Sequence, residues 1–63
     1  MTSSLADISS AATVLEDLAA RLARIADSYV AEEREEMATE LYDAEAALAV
    51  VARRLRRVAG GRR

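Results

Sequence analysis

Asp27-Ser28-Tyr29-Val30-Ala31-Glu32-Glu33-Arg34-Glu35-Glu36 is where the hydrophobic pattern of this 63-residue chain loses its phase. Upstream, Ile8, Ala11, Leu15, Leu18, Leu22, Ile25 and Tyr29 step by alternate threes and fours, with Leu5, Ala12, Ala19 and Ala26 beside them at sevens. That spacing lines one face of a helix. Downstream, Met37, Leu41, Ala44, Leu48, Val51, Leu55 and Val58 repeat the design, flanked by Ala31, Ala38, Ala52 and Ala59. Carried at about 100° per residue, the two stripes point roughly 90° apart. No strand-like alternation occurs, so the chain reads as all-α.

Neither Gly nor Pro falls between residues 5 and 59, so one continuous helix is the rival reading. The charges oppose it. Helix N-termini favour acids and C-termini favour bases. Asp7 leads and Arg21 and Arg24 follow; then Glu32, Glu33, Glu35 and Glu36 begin again, and Arg53, Arg54, Arg56 and Arg57 close. Asp27 and Ser28 are capping residue types at the phase break. The pattern predicts a disordered 1–3, a first helix over about 4–28, a turn at about 28–31, a second helix over about 30–59 and a flexible Gly/Arg tail at 60–63. Ser4 with Asp7 forms a capping-box-like pair, and Gly60 is placed to cap the second helix. A short connection between long helices gives an antiparallel hairpin. Folding back brings Arg53–Arg57 toward Asp7, Glu16 and Asp17, and Arg21 and Arg24 toward the acidic start of the second helix.

Heptad letters place Ala12, Ala19, Ala26, Ala31, Ala38 and Ala52 at a, and Leu15, Leu22, Tyr29, Leu41, Leu48 and Leu55 at d. Leu18, Ile25, Met37, Val51 and Val58 then fall at g. A stripe three positions wide belongs to a helix in a bundle, not to a two-stranded seam. Left alone, a hairpin with several wet Leu and Ile side chains would forfeit on the order of 10 kcal/mol, as much as a small domain's whole stability. Association of two hairpins into a four-helix bundle is the expected remedy. Its interface residues are Leu15, Leu18, Leu22, Ile25, Tyr29, Met37, Leu41, Leu48, Val51 and Leu55.

In length, hairpin and small-at-a, Leu-at-d layering, over roughly residues 5–56 with a turn near Val30–Ala31, the chain resembles the Rop family of plasmid RNA-binding regulators. That resemblance implies a dimeric four-helix bundle. The family binds paired RNA loops through basic, amide and aromatic side chains on its first helix. The matching positions here are Ser3, Ser10, Thr13, Val14, Glu16, Leu18 and Ile25, none basic or aromatic, so the resemblance implies the architecture without RNA binding by that face.

Composition narrows the chemistry. There is no Cys, His, Pro, Trp or Phe, and 15 of the 33 hydrophobic residues are alanine. Zinc, haem and iron–sulfur ligation through Cys or His, disulfides, and thiol or imidazole catalysis are excluded. Paired carboxylates such as Glu16/Asp17 and Asp43/Glu45 lack a cleft to shift a pKa, and no base stands ready to activate Ser, Thr or Tyr. The run Glu32, Glu33, Glu35, Glu36 and Glu40 has no calcium-loop spacing and reads as a solvated helix start. No catalytic residue, cofactor or metal is expected. Glu45, at a among alanines, either reaches solvent at the bundle edge or pairs with an arginine of the neighbouring helix to fix register, and the edge is the reading favoured. Tyr29 is expected to close the core beside the turn; Tyr42, at e, either rims a partner interface or packs at the core edge.

Residues 1–52 carry −8, from three arginines against eleven acids, while residues 53–63 carry +6. Arg53, Arg54, Arg56, Arg57, Arg62 and Arg63 thus form a possible anion contact. The start, Met1 to Asp7, has no basic n-region, and the longest apolar run, Ala46–Ala52, is too short to cross a bilayer, so a cytoplasmic protein is expected. The sequence therefore predicts a non-enzymatic protein–protein interaction module, a homodimer or an adaptor docked on a larger protein. The alternative is a small nucleic-acid-binding regulator using the arginines. The acidity of the remaining chain makes nucleic acid the weaker partner.

Overall fold

A computed structural model describes residues 4–60 and contains two α-helices, α1 (Leu5–Ala31) and α2 (Glu35–Ala59), packed against each other with no strand among the described residues. Residues 1–3 and 61–63, and with them the predicted disordered N-terminus, most of the tail, Arg62 and Arg63, lie outside the described residues.

The start of α1 follows the sequence closely. Ser4 Oγ accepts from the Asp7 N–H at 3.1 Å, and Asp7 Oδ2 accepts from the Ser4 N–H at 3.1 Å. This reciprocal pair satisfies donors that a helix start leaves orphaned.

The turn lies later than the predicted 28–31. Asp27 and Ser28 cap nothing; both are inside α1, which runs three residues beyond Ser28. Ser28 Oγ donates to the Arg24 carbonyl one turn back. The chain reverses at Glu32–Arg34. There the Arg34 N–H donates to Tyr29 O at 2.8 Å and the Glu33 N–H to Val30 O at 3.0 Å, with Glu33 at φ 62°. These are the 6→1 and 5→2 bonds of a Schellman stop, with glutamate where glycine is usual. The break was invisible as a glycine signal because a β-carbon-bearing residue accepts the left-handed backbone, at about 1–2 kcal/mol. Ala31 consequently ends α1, exposed, instead of joining the core of α2. Glu32 and Glu33 belong to the turn; only Glu35 and Glu36 stand in the first turn of α2. Gly60 does sit at the C-cap of α2, but at φ −72° and ψ −10°, so its left-handed freedom is unused.

The core is made of small side chains. Ala12, Ala19, Ala26, Ala38 and Ala52 are buried, and no large side chain is fully buried. Methyl groups at a let two helix backbones approach closely, because interaxial distance follows the size of the contact residues. The result is a rod measuring 47 × 20 × 14 Å. Neither helix is long and apolar enough to cross a membrane.

Candidate functional site

With a pointing at the other helix, the helical wheel sets e and b to one side of the seam and d and g to the other. In an antiparallel pair the two helices present the same letters on the same side. The hairpin therefore has two broad faces, and they differ in chemistry.

The e/b face is bridged by polar groups. Arg56 reaches from α2 across to α1, donating from Nε and Nη2 to the two Glu16 carboxylate oxygens at 3.1 and 2.7 Å. The same guanidinium donates to Ser9 Oγ and Thr13 Oγ1, each at 2.9 Å, and to the Ser9 carbonyl at 3.4 Å. The planar fork of arginine suits this bidentate carboxylate contact. The hydrogen bond from Arg56 holds the Glu16 carboxyl below its ordinary pKa. Nearer the turn, the Tyr42 hydroxyl donates to an Asp27 carboxylate oxygen, which raises the phenol above its ordinary pKa. Tyr42 thus ties the helices together on the face opposite d and g and does not rim that face.

The d/g face has no such bridges among the described residues. Leu15, Leu22, Tyr29, Leu41, Leu48 and Leu55 are only half-buried. At g, Leu18 is 39%, Ile25 43%, Met37 42% and Val51 43% exposed, with Val58 at 51%. All ten residues predicted to carry association lie on this side. Tyr29 closes its turn end, with the Arg34 guanidinium 5.7 Å from the ring centroid, within cation–π range.

The arginine cluster does not act as one patch. All four are exposed, but Arg56 is committed to Glu16, whereas Arg53, Arg54 and Arg57 form no ion pair among the described residues. Glu16 is the only predicted acid that meets the cluster as an ion pair among the described residues. Asp7 is taken by its capping role, Asp17 forms no ion pair among the described residues, and Arg21 and Arg24 form no ion pair with the start of α2. Glu45 stays half-exposed at the seam, with no ion pair among the described residues. Among the described residues no group of three acids is arranged to hold a metal ion. A shallow depression at the turn end, lined by Glu33, Arg34, Glu36, Met37 and Glu40, is open to solvent.

No family model, curated protein or solved structure matches the chain. Its likeness to the Rop hairpin is one of general shape, two long antiparallel helices joined by a short turn.

Proposed function

We propose that this chain is a non-enzymatic protein–protein interaction module, working in the cytoplasm, whose d/g face docks on other helices to complete a larger bundle. One observation carries the reading: one face is bridged by Arg56 and Tyr42, while the face holding most of the large apolar side chains is left half-open. Five buried alanines are a small core for a hairpin of this length. An alanine methyl contributes far less on burial than the roughly 1.5–3 kcal/mol of a Leu or Ile side chain. The missing stabilisation resides in the d/g leucines and isoleucine, and only a covering surface releases it.

Size-exclusion chromatography with light scattering tests this reading. The chain should elute as an assembly heavier than its 6.8 kDa. Leu48→Asp, on the d/g face, should abolish both the assembly and the helical circular dichroism. Val50→Asp, 47% exposed at f, away from that face, should change neither. A single 6.8 kDa particle that stays helical and melts cooperatively contradicts the reading.

A further inference from the structure

The outward stripe of α2 is ordered by charge along its length. Positions b, c and f point away from the alanine seam and from the d/g face, so this stripe stays open whether or not that face is covered. Near the turn it carries Glu36, Glu40 and Asp43, and near the open end Arg53, Arg54 and Arg57. Between the two sets stand Ala46, Ala47 and Val50, all exposed. The six charged side chains are exposed too, and none forms an ion pair among the described residues. Helix-end electrostatics accounts for only part of this order, because it fades beyond the first and last turns. Glu36 and Arg57 stand in those turns; Glu40, Asp43, Arg53 and Arg54 do not.

The outward stripe of α1 is built differently. There Asp17 precedes Arg21 by four residues and Arg24 precedes Asp27 by three, spacings at which opposite charges attract along one helix. On α2 none of the six has an opposite charge three or four residues away. The nearest acid and arginine of the stripe, Asp43 and Arg53, are about 15 Å apart along the axis.

We infer that this stripe pairs with the same stripe of a second copy, the two α2 helices antiparallel and centred on Ala46 and Ala47. In an antiparallel pair like letters share a side. Glu36 then stands opposite Arg57 at f, and Glu40 opposite Arg54 at c. The twofold axis repeats both contacts, and Asp43 lies within a turn of the other copy's Arg53. A parallel pairing sets acids on acids and arginines on arginines. Charges and apolar centre lie on one stripe, so both act on the same contact, and the central methyl groups let the backbones come close. The stripe is about 30 Å long and one helix wide, well short of the ~800 Å² per partner of a standard interface, so the contact is weak and reversible. Salt should control it, since the Debye length falls from about 30 Å at 0.01 M to about 3 Å at 1 M.

Sedimentation of the full chain at about 0.01 M and about 1 M salt reads this contact, with the high-salt particle as the baseline. The unaltered chain should gain mass at low salt, through an association at least roughly tenfold weaker at high salt. Glu36→Arg with Glu40→Arg, and separately Arg54→Glu with Arg57→Glu, should each lose that step while keeping helical circular dichroism and the high-salt mass. An equimolar mixture of the two should regain it. Glu32→Arg with Glu35→Arg makes the first change in net charge off the stripe and should leave the step in place. Val50→Asp, neutral for the d/g assembly, sets an acid opposite Asp43 and should weaken the step. Equal mass of the unaltered chain at both salt concentrations overturns the inference and leaves the d/g reading standing. The inference also fails if either stripe reversal keeps the step, if the off-stripe change abolishes it, or if the mixture of helical variants does not restore it. A single chain at high salt that pairs at low salt supports the stripe and contradicts the d/g reading.

Discussion

The e/b face and the d/g face are built on the same two helices and share one alanine seam, yet only one of them is finished. On the e/b side a guanidinium and a phenol cross the seam and find oxygen acceptors on α1. On the d/g side the leucines at d are half-buried, and leucine, isoleucine, methionine and valine at g are exposed. Polar bridges set register and direction at little net gain in water, whereas apolar area removed from water supplies most of the stabilisation. The hairpin thus has its geometry specified on one face and its stabilising potential held on the other.

The comparison breaks most readily on the apolar side. Leu22→Asp places a carboxylate in the middle of the d/g face and should cost on the order of 3 kcal/mol or more per copy, enough to dissociate and unfold the assembly together. Light scattering and circular dichroism on one sample should show both losses at once. The shared seam comes next. Ala52→Leu forces the helices apart where only a methyl fits and should cost about 1–3 kcal/mol in a urea melt, although it adds apolar surface. Loss of the capping box through Ser4→Ala should cost about 1 kcal/mol and leave the assembly state unchanged.

The smallest effects belong to the polar face and appear as pH dependence. Glu16 has a folded pKa below its unfolded value, so its contribution is present above the unfolded pKa and is lost as pH falls through the folded one. Arg56→Gln should therefore flatten the acid side of a plot of melting temperature against pH while changing the neutral value only slightly. Tyr42 is the mirror case. Its folded pKa is raised, so its contribution is present below the unfolded pKa and is lost as pH rises through the folded one. Tyr42→Phe should remove that alkaline loss. An arginine or tyrosine variant that destabilises more than Leu22→Asp would reverse the ranking of the two faces.

Most of this organisation was legible in the residues. Alternating threes and fours specify two amphipathic helices, and Ser4 with Asp7 specifies where the first begins. The end of α1 was read three residues early because Asp27 and Ser28 have cap chemistry, while the true stop uses backbone bonds around Glu33 and leaves no compositional trace. The d/g residues were visible as a stripe wider than one partner helix can cover. The Arg56 bridge was merged into a run of four arginines, although heptad position separates it: Arg56 and Glu16 both fall at e, beside the seam, whereas Arg53, Arg54 and Arg57 fall at b, c and f. Tyr42 at e and Asp27 at b carry the same signal. Residue type alone points elsewhere, Tyr42 to an aromatic rim and Asp27 to a helix cap; their positions across the seam carry the contact.

The dependence of thermal unfolding on protein concentration tests most directly whether the open face must be covered. For a hairpin stabilised by a second copy, a hundredfold dilution removes about 2.7 kcal/mol of mass-action stabilisation and should lower the melting temperature by roughly 5–10 °C. A melt that stays cooperative at an unchanged temperature over the same dilution would mean that the hairpin stands alone, and that its apolar face is not what holds it together.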